Sequence, residues 1–189
     1  MKLLILLLLS FPAFAGEIVL ENDYVRVTRD AAPCALAHVP ECTDRVLVAL
    51  GEMELTGPGT SRKLERGDIA VFGSEESYEP PNGAAFLEVS IKADHPPARP
   101  PNEQIAPEKN AILYDGSDYF VFEEKLAPGD TRARHSHSQR VVIQLNQARL
   151  EQWPDGEPSK IVETVPDRPG FSPPVIHMEI GRASCRERV

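Results

Sequence analysis

Helical periodicity, aromatic side chains, cysteines and cationic residues are all scarce in this chain. No stretch carries apolar residues at the alternating three- and four-residue spacing of an amphipathic helix, while proline occurs 18 times in 189 residues. That combination argues against a helical bundle and points to an all-β chain with many turns. Lys+Arg number 20 against 29 Asp+Glu, a net charge of −9. Such a balance disfavours nucleic acid and anionic membrane as partners and leaves small-molecule ligands open. There is no phosphate-binding glycine loop, no G-x-S-x-G and no C-x-x-C, so the usual signatures of nucleotide binding, serine hydrolysis and dithiol redox chemistry are missing. The acidic pairs Glu75-Glu76 and Glu123-Glu124 are expected on solvated faces or turns.

What is present begins at the ends. Lys2, the Leu/Ile run over residues 3–11 and the small-x-small site Ala13-Phe14-Ala15 read as a signal peptide over residues 1–15, with a mature start near Gly16. The run is too short to span a bilayer; the alternative is an uncleaved anchor, and either implies a periplasmic or secreted protein. At the other end, Glu179 to Val189 back-translates into a common short-read sequencing adapter. Residues 180–189 are therefore expected as an artefact of assembly, packing poorly and leaving an open strand edge. Without both ends Lys+Arg falls to 16 and Asp+Glu to 28, a net charge of −12. Cys34 and Cys42 then remain, eight residues apart; in an oxidising compartment they form either a short-loop disulfide or two free thiols.

The body repeats itself. An offset of 95 residues lays Asp23-Tyr24 on Asp118-Tyr119, Ala32-Pro33 on Ala127-Pro128, Arg45-Val46 on Arg140-Val141, Leu50 on Leu145 and Leu55 on Leu150. After a four-residue slip Asp68 meets Asp167 and Phe72 meets Phe171. Strands are expected at Tyr24–Val27, Arg45–Leu50, Ile69–Phe72 and Phe86–Ile91, and again at Tyr119–Phe122 and Arg140–Leu145. Turns are expected at Gly57-Pro58-Gly59 and Pro154-Asp155-Gly156. The proline-rich stretch over residues 96–107 separates a unit over 16–95 from one over 108–179 and reads as an extended linker. Each unit alone buries only a modest core, so packing the two together would help.

The segment that carries chemistry is Gly129 to His137. Residues two apart on a strand share a face, so His135 and His137 project together, on the face that the parity of Val141, Ile143 and Leu145 assigns to the apolar interior. Pro173-Pro174-Val175-Ile176-His177 supplies a third candidate imidazole. Neutral imidazoles suit Zn, Fe, Ni and Cu. Gln139 has the inward parity, Arg140 the opposite one unless a bulge turns it, and Arg132 and Arg134 either meet an anionic ligand or lie in solvent.

The spacing G-x5-H-x-H resembles the first half of the first cupin motif, and P-P-x-x-H resembles a shortened second one. The resemblance covers nearly the whole mature chain. It implies two tandem cupin-like jelly-roll β-barrels, the first degenerate and the second lacking its last strands. It also implies that His135, His137 and His177 hold one divalent transition metal (Fe, Mn, Zn, Ni or Cu), with Gln139, Arg140 and Arg134 as ligand-contact candidates. The places of the motif glutamate hold Val141 and Val142, so three histidines are encoded and the usual fourth ligand is not. In the first unit Pro40 and Cys42 stand opposite His135 and His137, Tyr78 stands opposite His177, and His38 is alone with Cys42 as a weak soft-metal pair. Three functions fit: a metal-dependent oxygenase, isomerase or lyase; a non-catalytic binder of a small molecule; or a structural protein, a homodimer being compatible with each. The catalytic residues beyond the metal set are unknown from sequence.

Overall fold

The computed structural model describes residues 17–32, 34–35, 42–80, 82–105, 110–182 and 185–188. The expected signal peptide, together with His38 and Pro40, lies outside the described residues, as does the side chain of Cys42. Among the described residues there is no helix; the chain is strands and turns.

The first half contributes β1 (Glu17–Glu21), β2 (Val25–Arg29), β3 (Cys42–Ala49), β4 (Met53–Gly57), β5 (Thr60–Leu64), β6 (Ile69–Phe72) and β7 (Phe86–Lys92). Five of these form a sheet in the order β1-β2-β7-β3-β6, and β4-β5 is a separate hairpin, turning at the expected Pro58-Gly59 with Gly59 at φ 74°. The second half contributes β8 (Asn110–Asp115), β9 (Phe120–Leu126), β10 (Thr131–His137), β11 (Arg140–Gln144), β12 (Arg149–Pro154), β13 (Lys160–Glu163), β14 (Pro169–Ser172), β15 (Val175–Gly181) and β16 (Cys185–Arg188). Its five-stranded sheet runs β8-β9-β16-β11-β14, and a four-stranded sheet runs β10-β15-β12-β13. The two five-stranded sheets have the same order of strands, place for place, and the offset that relates their sequences relates their strands.

Strand β3 shows why the apolar run is continuous rather than alternating. Val46 and Val48 enter one core and Leu47 and Ala49 another, because a central strand covered on both faces has no wet side. The second of these cores, with Met53, Leu55, Leu64, Tyr78 and Phe86, lies within the first half. The first joins the halves: Val25, Val27, Leu87 and Val89 pack with Val121, Ile143 and Leu145. Each such side chain, fully buried, contributes about 1.5–3 kcal/mol. Arg66 adds a polar clasp, donating to Leu50 O and Leu145 O and pairing with Asp167 at 2.6 Å.

Three expectations are corrected here. Residues 180–189 are expected from the sequence to pack poorly, yet the backbone of residues 180–181 and 185–188 lies in strands. Strand β15 runs through Gly181, and β16 lies between β9 and β11, pairing with both. The open edge expected at that place is not seen among the described residues, since β16 is paired on both sides. The reason is that a sheet ladder is made by backbone groups, so an extended segment fills a vacant slot whatever its side chains, and the slot is the one β7 fills in the first half. Gly181 fits closely there: a Cβ on it would stand 2.8 Å from Ala127 O.

The second correction concerns parity. Val141, Ile143 and Leu145 pack into the core shared with the first half, not around the histidines. Ser138 and Gln139 carry the chain from the four-stranded sheet to the five-stranded one, and counting by twos does not survive a change of sheet. The third concerns Glu123 and Glu124, which are buried at 7% and 2% exposure. Glu123 is paired with Lys125 and Arg186, and Glu124 with Arg132. As for the linker, residues 93–105 contain no strand, yet Ile105 exchanges backbone and hydroxyl hydrogen bonds with Ser136 on β10.

Candidate metal centre

Gly129 takes φ 88°, a left-handed turn conformation open to glycine and strained for other residues, and so reverses the chain between β9 and β10. Strand β10 then runs antiparallel to β15 with His135 directly opposite His177. His137, two residues on, shares the face of His135. Three imidazoles from two paired strands thus meet: ring centroids are 4.7 Å apart for His135–His137, 4.5 Å for His135–His177 and 5.3 Å for His137–His177. All three residues are buried, at 1%, 7% and 2% exposure.

The hydrogen bonds set the state of the rings. The His135 Nδ1 lies 2.9 Å from Ala133 O; a carbonyl only accepts, so Nδ1 carries the proton and Nε2 presents a lone pair. That Nε2 faces His137 Nε2 at 2.9 Å. The His177 Nε2 is buried with no partner. Burial lowers the pKa of each ring, His177 to about 4, and the positive charge of Arg140 pushes all three in the same direction. At neutral pH the cluster is uncharged, the form in which imidazole ligates metal.

A cation fits this arrangement. One atom from each ring lies within 4.8 Å of the others, and two nitrogens bound to one tetrahedral ion at about 2.0–2.1 Å stand roughly 3.4 Å apart. Side-chain movement that closes the widest separation by at most about 1.4 Å completes the set. A buried imidazole nitrogen without a partner is costly, and a shared ion removes that cost. Among the described residues this is the cluster with metal-ligating geometry, and it contains no carboxylate.

Around it lies a charged network that sequence reasoning missed. The β10–β15 register advances three residues on β10 (Arg132 to His135) against two on β15 (Glu179 to His177). This bulge brings Arg132 onto the histidine face. Arg132 is 2% exposed, so it is not a solvated surface arginine. It pairs with Glu124, with Glu179 at 2.9 Å and with Asn110 at 2.9 Å. Glu179 also accepts from Gln152. Burial alone would raise the pKa of Glu179; a hydrogen bond with Glu124, the charge His177 gains only in acid and the charge of Arg132 outweigh it and hold the group low, near 2. The bulge was legible only as a rule that such things occur, not as a position.

The other expected contacts divide. The charge of Arg140 acts on all three rings, and its guanidinium lies 3.5 Å from Ser138 O. Arg134 is on the solvent side, paired with Asp155 and Glu103. Gln139 sits half-buried on the link between the sheets, its backbone N–H on Arg99 O. Cys34 is buried and disulfide-bonded.

In the first half, Tyr78 is buried at 3% exposure. Its hydroxyl bonds Glu88, which also accepts from Ser90 at 2.9 Å and from the Cys34 N–H. Beside them the Arg45 guanidinium donates to Cys34 O, Gly73 O and Glu76 O.

Comparison with solved structures gives the fold a place. A cupin 2 conserved barrel domain protein from Leptotrichia buccalis superposes with a TM-score of 0.54 at 13% identity, covering 92% of this chain and 86% of that one. The fold is cupin-like. AerE from Microcystis aeruginosa gives a TM-score of 0.51 at 15% identity over 88% and 86% of the two chains. No family model matches the chain, and no curated protein matches it in sequence. At these identities the likeness is one of cupin fold and not of activity.

Proposed function

We propose that this is an exported, metal-dependent cupin protein in which His135, His137 and His177 hold one divalent transition ion, Fe, Mn, Zn, Ni or Cu. The observation that carries the reading is the convergence of three buried, neutral imidazoles with the His177 Nε2 left without a partner. When bound, such an ion supplies Lewis-acid or dioxygen chemistry at its open positions. The chain's own residues do the rest. Ala133 O fixes the tautomer of His135, Phe122 packs flat against His137, and Glu179 lies two residues from His177 on the same face of β15. The burial of all three rings keeps them unprotonated near neutral pH.

The arrangement is read as a duplication, two tandem cupin units with the first serving as a structural partner. The matching strand orders of the two five-stranded sheets support this, as does the Tyr78–Glu88 pair in the first half where the second has histidine. Export rests on the leader sequence. The alternative is a non-catalytic module that binds a small ligand, favoured by the absence of a carboxylate from the ligand set.

Metal analysis of the purified protein tests the centre. Stoichiometric metal, lost in His135→Ala/His137→Ala while the fold persists by circular dichroism, is expected; a metal content unchanged by the double substitution defeats the reading. Metal-dependent oxygen uptake separates an oxygenase from a binder.

A further inference from the structure

Strand β15 is flanked by β10 and β12, and two successive inward rungs cross the three strands. On one, His177 stands between His135 on β10 and Pro154 on β12; on the next, Glu179 stands between Arg132 and Gln152. Met178, between them in sequence, is 44% exposed, while His177 and Glu179 are buried. The imidazole and the carboxylate therefore share the inner face of β15. Both carboxylate oxygens are held: Oε1 accepts from Arg132 Nη1 at 2.9 Å and Oε2 from Gln152 Nε2 at 3.1 Å. The group is fixed in one place, beside the set of ligand atoms but not within it. Its charge acts on the His177 ring more strongly than the opposite charge of Arg132 does.

A buried carboxylate is expensive and needs a reason. Neutralising Arg132 does not supply a complete one, because that guanidinium also pairs with Glu124. The histidine centre supplies the rest. Three neutral imidazoles cancel none of an ion's charge, so a divalent ion held by them alone would place two positive charges in a buried site. A fixed carboxylate one rung away offsets part of that charge and, being tied on both oxygens, leaves the open positions of the ion open.

We propose that Glu179 is the outer-sphere counter-charge of the metal centre, held by Arg132 and Gln152 where it offsets the charge of an ion bound by His135, His137 and His177 without joining the ligands. This rests on the metal reading above and adds to it a residue that sets the affinity of the site. A counter-charge has opposite effects on a cation and on an anion, which a merely structural role does not.

The test uses the full chain. Co2+ affinity is measured by competition with a chelator, and azide is then titrated into the Co2+ form, whose visible absorption reports an anion entering an open position. Glu179→Gln keeps the shape and still accepts from Arg132. It is expected to weaken Co2+ binding about tenfold and to tighten azide about threefold, since the anion no longer faces a like charge. Gln152→Lys, at a half-buried position, sets a cation against the same carboxylate; it is expected to move both affinities in the same directions and serves if Glu179→Gln does not fold. Co2+ and azide affinities that fall together, or that both stay within twofold of wild type, overturn the proposal and leave the metal centre standing. Failure of the wild type to bind Co2+ defeats the metal reading and this proposal with it.

Discussion

Replacing Arg132 with methionine isolates the charged network beside the histidines. At an effective dielectric of 20, a unit pair separated by the 2.9 Å between Arg132 and Glu179 attracts by about 6 kcal/mol before desolvation is counted. Removing one member of such a buried pair typically costs about 3–5 kcal/mol. A ceiling follows from proton uptake. Without the guanidinium, Glu179 is expected to take up a proton on folding. Adding that proton at pH 7 to a carboxyl whose ordinary value is 4.5 costs about 3.4 kcal/mol, at 1.36 kcal/mol per pH unit.

Arg132→Met is therefore expected to lose about 3 kcal/mol at pH 7, a large fraction of the roughly 5–15 kcal/mol that holds a domain folded. The sign of the pH dependence is distinctive. In the variant the folded state binds a proton that the unfolded state has released, so the variant loses stability relative to wild type as pH rises. The gap should shrink by roughly 1.4 kcal/mol per unit from pH 7 to pH 5. Urea unfolding of both metal-free proteins at pH 5, 6 and 7 measures it. A gap below 1 kcal/mol at pH 7, or one that does not change with pH, would refute the account of Arg132 as the counter-charge of two buried carboxylates.

Other outcomes are expected. Leu87→Ala, at a side chain with 0% exposure in the core that joins the halves, should cost about 2–5 kcal/mol in the same unfolding assay. The metal-free wild type should lose stability as pH falls below about 6.5, because the unfolded chain takes up protons on histidines that the folded chain refuses. With His177 held at about 4, that residue alone accounts for roughly 3 kcal/mol by pH 4, and a His177→Phe variant should show a correspondingly shallower profile. A divalent ion at a hundred times its dissociation constant should raise stability by about 2.7 kcal/mol, an increment absent from His135→Ala/His137→Ala in thermal melts.

The amino-acid order alone determined the local elements and the identities of the site residues. Alternating and β-branched runs marked β2, β3, β6, β7, β9 and β11, because strand pattern is set by near neighbours along the chain. The constant offset between Arg45-Val46 and Arg140-Val141 marked the repeat. His135, His137 and His177 were legible as candidates because a two-residue spacing places two rings on one face of a strand.

Tertiary structure decided everything that depends on pairing. The register that sets His135 against His177 is a relation between β10 and β15 that no spacing within either strand contains. A bulge turned Arg132 inward, and a change of sheet at Ser138-Gln139 sent Ile143 away from the histidines. Both break the count by twos on which sequence parity relies. Strand β16 shows the complementary limit: its place between β9 and β11 is defined by backbone donors and acceptors, which every residue but proline carries alike, so side-chain pattern does not announce it.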